Sequence, residues 1–404
     1  MTKYPIFSPW PSFTKEEGEA VKKTLLSNKV NYWTGKESIL FEDEFAKWSR
    51  AKYAIAVANG TVALDIALKA INLEENDEVV VTPRTFIASV SSVVNIGAVP
   101  VFADVDMLSG NITADTISKV LTKKTKAIIC VHLAGWPCDM DPILELAKKN
   151  NIKVIEDCSQ AHGSLYKGRS VGTIGHIGAW SFCQDKIITT GGEGGMVTTN
   201  NKSLWKKMWS LKDHGKSYDA IFRKNHPPGF KWVHESFGTN SRILEIQSVI
   251  GRIQLKKIKN WTKKRNTNAS KIIRALDHHS ICRTVHFNCS SICKNSCIKK
   301  CKCRHAYYKL YIYIYPDKLK PNWSRDRLMK EINKLGVPCF QGGCPEVYLE
   351  KAFHNTKFKP KKRLANAKLL GQTSLMFQVH PTLSEENIEH TINVVNEVFS
   401  KASC

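Results

Sequence analysis

Short apolar runs alternate with longer amphipathic segments along the first half of the chain. The apolar runs lie at residues 79–81, 99–103, 127–131 and 153–155 and are rich in Val and Ile. The segments between them carry the periodicity of helices. Strands that alternate with helices in this way form a mostly parallel sheet flanked by helices. We therefore predict an α/β fold for this part of the chain.

The length of the chain predicts two domains. Its 404 residues exceed what a single core of ordinary size holds. We place a large domain at residues 1–258 and a smaller one at 259–404, because a Lys-rich segment at 256–264 would carry the chain out of the first domain. An alternating aromatic run at 307–315 predicts a strand in the smaller domain.

The charge of the chain is strongly positive, with 60 Lys and Arg against 36 Asp and Glu, a net +24. Such an excess can indicate a nucleic-acid partner, because cations bind phosphates of any sequence. No nucleic-acid-binding motif accompanies it, so we favour solvated lysines that attract a small anionic substrate. An apolar run of about twenty residues and a signal-peptide pattern are both missing, so we expect no membrane insertion and a cytoplasmic location.

The first candidate for chemistry is Lys186, which follows an apolar strand-like run and precedes a glycine-rich turn at 191–195. Burial among apolar side chains makes the neutral, nucleophilic form of a lysine accessible, so such a lysine can form an imine with an aldehyde cofactor. Pyridoxal phosphate is the obvious aldehyde. The alternative is an ordinary surface lysine beside a loop.

Two acids end the apolar run at 153–155, and the second of them, Asp157, is the next candidate. Ligands of open α/β sheets bind beyond the carboxyl ends of the strands. A carboxylate there can keep a pyridine nitrogen protonated. Because side chains alternate along a strand, Glu156 should face the opposite side. Alternatively, Asp157 caps the turn that follows.

A third candidate lies upstream, where a strand-like run breaks at Asn59-Gly60 into an apolar helix. The free amides around Gly60 and Thr61 would attract an anion, because glycine lets a phosphate approach the backbone and the helix dipole favours negative charge. Any buried strand-to-helix turn has a similar pattern, so the motif is weak in isolation.

The three candidates occur in the order seen in fold-type I pyridoxal enzymes. From about residue 9 to residue 380 the sequence resembles the DegT/DnrJ/StrS family of sugar-nucleotide aminotransferases. The stretches that carry the resemblance are 59–64, 82–88, 156–163, 166–172, 191–195, 336–340 and 374–382. The resemblance implies a large domain with a mostly parallel seven-stranded sheet and a smaller C-terminal α/β domain.

The resemblance also implies roles for individual residues. Lys186 would hold pyridoxal phosphate and move the substrate proton, and Asp157 would pair with the ring nitrogen. The remaining cofactor contacts implied are Gln160 at the ring hydroxyl, Phe86 stacked on the ring, Gly60, Thr61 and Ser181 at the phosphate, and Asn240 from the neighbouring subunit. We therefore expect a homodimer.

The function implied is transfer of an amino group from an amino acid, by family likeness glutamate, to a nucleotide-linked keto-hexose. Relatives that act as dehydratases have His in place of the lysine, so Lys186 favours amino transfer. Two alternatives stay open: a binding or regulatory protein that keeps the fold without turnover, and a basic nucleic-acid-binding protein. The nucleotide, the sugar and the position of its keto group do not follow from the sequence.

Six cysteines form a cluster that the resemblance does not explain. They are Cys282, Cys289, Cys293, Cys297, Cys301 and Cys303, with His286 and His305 nearby. Their spacing differs from that of common zinc pairs, and disulfides are rare in a reducing cytoplasm. A structural zinc site is the alternative, and we expect reduced thiols in a surface loop and no bound metal.

Overall fold

A computed structural model of the protein describes residues 4–285 and 302–404. The first part of the chain contains nine strands: β1 Tyr53–Val57, β2 Glu78–Val81, β3 Val99–Phe102, β4 Thr125–Val131, β5 Lys153–Asp157, β6 Leu165–Tyr166, β7 Arg169–Ser170, β8 Ile177–Ser181 and β9 Gly195–Thr199. Strands β6 and β7 form a two-stranded sheet, and the other seven form one sheet. All four strands predicted between residues 79 and 155 are present.

The seven-stranded sheet has the order β1-β9-β8-β5-β4-β2-β3. The pairs from β8 to β3 are parallel, and β9 runs antiparallel to both of its neighbours. The parallel strands therefore end at one common edge. This sheet confirms the predicted α/β class and its seven mostly parallel strands.

Twelve α-helices accompany the strands in the described parts of the chain. They are α1 Lys15–Leu26, α2 Glu37–Ser49, α3 Gly60–Ala70, α4 Ala88–Asn95, α5 Ala114–Ser118, α6 Met140–Lys149, α7 Lys202–Lys212, α8 Tyr218–Phe222, α9 Glu245–Leu276, α10 Arg325–Lys334, α11 Ala365–Thr373 and α12 Glu385–Ala402. Helix α3 is mostly apolar because it packs against the sheet, where it contacts β8 and β9 and where Leu64 and Ile66 belong to the same buried cluster as strand residues such as Ile155. Its N-terminus is therefore fixed rigidly at the sheet edge.

A second, antiparallel sheet has the order β10-β11-β13-β12, with β10 Cys282–Thr284, β11 Leu310–Ile314, β12 Cys339–Phe340 and β13 Ser374–Phe377. The aromatic strand predicted at 307–315 is present but shorter. All five residues of β11 are buried. Helices α9, α10 and α12 pack on this sheet through Ile272, Leu328 and Phe399.

Helix α9 spans 32 residues and contacts both parts of the molecule. It packs on α1 and α2 near its start and on α12 and β10 farther along. The boundary predicted at 258/259 lies inside this helix, and the division into two domains stays a prediction. In the described parts of the chain, no helix is both long and apolar enough to cross a membrane.

Candidate active site

Lys186 lies in the turn between β8 and β9, at the edge where the parallel strands end. Its Nζ is 3.4 Å from a carboxylate oxygen of Asp185 and 5.1 Å from the centre of the Tyr308 ring. Its carbonyl oxygen accepts a hydrogen bond of 2.8 Å from Trp10 Nε1. Only 16% of its side chain is exposed. The lysine is therefore partly buried, and its contacts fix its position, as the sequence indicates.

Lys186 lines a cavity of about 380 Å³ between the two sheets. Gln160 and Phe86 line the same cavity, so three of the predicted residues share it. Phe86 is 71% exposed, which leaves its ring free to contact a ligand. Gln160 is held in place because its Oε1 accepts a hydrogen bond of 2.7 Å from the amide of Ala134.

Asp157 is the last residue of β5 and is buried. One carboxylate oxygen accepts a hydrogen bond from Ser89 Oγ at 2.8 Å, and the other accepts from the amide of Ser159 at 3.0 Å. Ser89 is itself 2.7 Å from the hydroxyl of Thr85, a cavity residue. These contacts fix the carboxylate at the sheet edge next to the cavity wall.

The hydrogen-bond partners of Glu156 differ from those of Asp157, as expected for side chains on opposite sides of the sheet. One oxygen accepts from the amide of Gly172 at 2.8 Å and pairs with His132 Nε2 at 3.0 Å. The other accepts from the amides of Ile174 and Gly175 at 2.8 and 2.7 Å. Burial acts to raise the pKa of the Glu156 carboxyl, but His132 and the backbone amides outweigh it and leave this pKa below its ordinary value. Glu156 is thus a structural anion that organises the turn before β8.

One group of possible metal ligands occurs among the described residues, with atoms of His132, Glu156 and Cys158 within 4.8 Å of one another. Both oxygens of Glu156 are already hydrogen-bonded. His132 Nδ1 accepts from the amide of Cys138 at 3.0 Å, so its Nε2 carries the proton donated to Glu156. We therefore assign this group to buried hydrogen bonding.

The turn predicted to bind an anion forms the N-terminus of α3. Asn59 caps it, because its side chain accepts from the amide of Val62 at 2.9 Å. The amides of Gly60 and Thr61 precede the first intrahelical bond and have no acceptor within the helix. A Cβ on Gly60 would lie 2.5 Å from the Cβ of Ser181, so only glycine lets the turn approach β8 this closely.

Asn240 lies outside this cavity on an exposed segment. Its side chain accepts a hydrogen bond of 3.5 Å from the amide of Arg242, and its backbone bridges to Asp213. A role for Asn240 in a neighbouring subunit stays a prediction. The cofactor roles of the other residues also stay predictions, although the structure brings most of them to one edge.

Among the cavity residues that the sequence reasoning missed, Asp185 and Tyr308 interact with each other beside Lys186. The Tyr308 hydroxyl donates a hydrogen bond to the Asp185 carboxylate. Burial acts to raise the pKa of Asp185, but Lys186 and the Tyr308 hydroxyl outweigh it and leave the pKa below its ordinary value. Asp185 could have been noticed as the neighbour of Lys186 in sequence. Tyr308 comes from the entry into β11, far along the chain, and no local pattern indicates its position.

The cysteine cluster lies mostly outside the described residues, including Cys289, Cys293, Cys297, Cys301 and His286. Of the two described members, Cys282 is a free thiol, and the sulfur of Cys303 accepts a hydrogen bond of 3.2 Å from the amide of Lys167. His305 is buried, and its ring is stacked on that of Tyr307 with centroids 3.9 Å apart.

The chain is similar to known proteins over nearly its whole length. The X-ray structure of the aminotransferase from Psychrobacter cryohalolentis superposes with a TM-score of 0.94 at 60% identity, covering 98% of this chain and 99% of that one. GDP-perosamine synthase of Escherichia coli O157:H7 is 43% identical over 259 residues, or 63% of this chain and 66% of that protein. A dTDP-3-amino-3,6-dideoxy-alpha-D-galactopyranose transaminase of Aneurinibacillus thermoaerophilus is 38% identical over 60% of this chain and 63% of the relative.

The matches to these two enzymes thus span slightly less than two thirds of each enzyme's length. The family model for DegT/DnrJ/EryC1/StrS aminotransferases, in contrast, matches residues 11–396. That range includes both sheets and every residue that the sequence predicts for the site. The chain therefore belongs to the DegT/DnrJ/EryC1/StrS aminotransferase family.

Proposed function

We propose that this aminotransferase uses pyridoxal phosphate to move an amino group from L-glutamate to a nucleotide-linked keto-hexose. The observation that carries the proposal is the position of Lys186, whose amine enters a cavity at the carboxyl edge of the parallel strands. Ligands of open α/β sheets bind at this edge.

The residues at this edge of the sheet suit the cofactor. The free amides at the start of α3 suit a phosphate, and Gly60 leaves no side chain between this turn and Ser181. Asp157 is a buried carboxylate fixed at the same edge. An anion site, a carboxylate and an amine are the three groups that the phosphate, ring nitrogen and aldehyde of pyridoxal phosphate require.

Bound pyridoxal phosphate supplies an aldehyde and an electron-accepting ring. Asp157 would hold a proton at the ring nitrogen, and Phe86 would cover the ring face. Lys186 Nζ would take the proton from the reacting carbon of the donor and return a proton during transfer to the sugar. The Asp185 carboxylate, 3.4 Å from Nζ, would hold this amine in position while it is protonated.

The relatives support the proposed substrate class. Their names refer to GDP-linked and dTDP-linked amino sugars, so a nucleotide-linked sugar is what they share. Lysine at position 186 supports amino transfer rather than dehydration. We assign glutamate as donor by family likeness.

The test is an absorption spectrum of the protein with pyridoxal phosphate, before and after L-glutamate. We expect a visible band that depends on Lys186 and that glutamate shifts to shorter wavelength. Lys186→Ala should lose the band. Lys334→Ala is the matched control, because Lys334 is the last residue of helix α10 and its side chain is 68% exposed. A wild-type protein without a lysine-dependent band would refute the proposal and favour a binding protein that keeps the fold.

A further inference from the structure

A second lysine, Lys309, lines the cavity beside Lys186. It precedes β11 and is half-buried. Its Nζ lies 5.3 Å from the centre of the Tyr308 ring, the same ring that lies 5.1 Å from Lys186 Nζ. The two amines therefore share one corner of the cavity, although one comes from the turn after β8 and the other from the segment before β11.

Lys309 forms no ion pair with a carboxylate among the residues that the structure describes. The charged and titratable groups that face it are Asp185, Lys186, Tyr308, Arg265 and His380. The Asp185 carboxylate already bonds to the Tyr308 hydroxyl and lies 3.4 Å from Lys186 Nζ. Burial lowers the pKa of the His380 imidazole to about 3, which leaves this ring uncharged near neutral pH.

The surroundings of Lys309 are positive. Burial lowers the pKa of its amine to about 8, and Arg265 and Lys186 act in the same direction. A pKa of this size still leaves most of the amine protonated at pH 7. The charged residues that line the cavity are Arg84, Asp185, Lys186 and Lys309, which leaves an excess of positive charge for a ligand to balance.

Arg84 is less suited to bind that ligand than Lys309. Its side chain is buried, and its Nη1 donates a hydrogen bond of 2.9 Å to the hydroxyl of Tyr313. Its guanidinium also lies over the Tyr313 ring, 5.5 Å from the ring centre. Lys309 is therefore the cation in this cavity with free bonding capacity near Lys186.

We propose that Lys309 binds a carboxylate of the amino-acid donor and so selects donors that carry one. The inference rests on the proposed function. A donor carboxylate is attached to, or a few bonds from, the carbon that must lie beside Lys186. A cavity of about 380 Å³ is near the lower end of the range for ligand sites. It accommodates the cofactor ring with an amino acid or a hexose, so the nucleotide diphosphate must lie farther out.

The proposal is tested by calorimetric binding of glutarate, a dicarboxylate without an amine, to the protein with and without pyridoxal phosphate. Lys309→Gln should weaken glutarate binding about ten- to hundredfold, because one charge-assisted hydrogen bond is lost. Lys309→Arg should retain it, and Lys334→Gln should have no effect. Binding of GDP, the diphosphate probe, should be unchanged in Lys309→Gln.

The pH dependence gives a second measurement. Carboxylate binding needs a protonated amine, so wild-type affinity for glutarate should fall as the pH rises above about 8, the pKa of Lys309. Lys309→Arg stays charged and should bind equally well at pH 7 and pH 10. This comparison needs no Gln variant and decides the question if that variant fails to fold.

Two results would overturn the inference. Glutarate binding that is unchanged in Lys309→Gln would mean that another group holds the donor. Loss of GDP binding with unchanged glutarate binding would assign Lys309 to the substrate phosphates. Neither result affects the visible band that depends on Lys186, so failure of this inference is distinguishable from failure of the proposed function.

Discussion

Replacing Glu156 by Gln should destabilise the protein strongly while leaving the candidate site chemically intact. Each oxygen of the Glu156 carboxylate accepts two hydrogen bonds. An amide offers only one oxygen. Whichever of the two oxygen positions the NH₂ group of the glutamine takes, the two N–H groups that donate to that position lose their acceptor. Hydrogen bonds to a charged group contribute about 1.5–3 kcal/mol each, so we expect a loss of about 3–6 kcal/mol in the free energy of unfolding.

Urea unfolding of the cofactor-free protein, followed by circular dichroism, measures this loss as a lower midpoint. Asp157→Asn is the matched control because it changes the next residue in the same way. Asp157 bonds to one serine hydroxyl and one amide. The hydroxyl can reverse from donor to acceptor, so an asparagine can satisfy both contacts. Asp157→Asn should therefore unfold close to wild type, yet bind pyridoxal phosphate poorly.

The contribution of Glu156 also depends on pH. Its pKa in the folded state lies below the ordinary value of 4.5, so the unfolded chain takes up this proton first as the pH falls. The stabilisation is complete above about pH 4.5 and declines from there towards the lower, folded-state pKa. The difference in midpoint between wild type and Glu156→Gln should shrink over that range. Equal midpoints for the two proteins at pH 7, or an equal loss in Asp157→Asn, would refute this reasoning.

Two further predictions concern buried contacts. Gly60→Ala should weaken binding of pyridoxal phosphate at least tenfold in a fluorescence titration, because the added Cβ would lie 2.5 Å from the Cβ of Ser181. A Cβ added at Gly18, in helix α1, would meet nothing within 4 Å. Gly18→Ala should instead add about 0.5–1 kcal/mol to the free energy of unfolding. Lys212→Met should lower the free energy of unfolding in urea by about 3–5 kcal/mol, because it leaves the buried Glu42 carboxylate without the ammonium 3.3 Å away. The double variant with Glu42→Gln should recover most of this loss. A double variant without any recovery would contradict the pairing of the two residues.

Much of the large sheet could be predicted from the sequence, because its parallel strands are buried on both faces and appear as unbroken apolar runs. Strand boundaries were less exact. Strand β4 begins at Thr125 rather than 127, and β11 covers only the middle of the predicted run, because aromatic residues flanking a strand have the same pattern as those within it. The antiparallel position of β9 has no local signature, since pairing depends on the whole topology.

The candidate site was predictable to the extent that its residues stand at strand ends or in glycine turns. Lys186, Asp157 and Gly60 each follow or end an apolar run, and the resemblance to the family supplied their grouping. Tyr308 and Lys309 were missed as site residues because they reach the cavity from the segment just before β11, far along the chain from Lys186. Their position beside Lys186 depends on how α9 and β11 pack, and no residue spacing in the sequence predicts that packing.

The alternation of side chains along a strand predicts the orientation of Glu156 relative to Asp157. It does not predict the orientations in two other pairs of neighbouring residues, 185/186 and 308/309. Residues 156 and 157 both lie inside β5, where the backbone pairs with β4 and β8, so their side chains must point to opposite sides. Residues 185 and 186 lie in a turn, and 308 and 309 precede β11, so neither pair is bound by that rule. All four line the same cavity. Strand alternation would place the two members of each pair on opposite faces of a sheet. Because these four residues lie outside the strands, their side chains can all line one cavity.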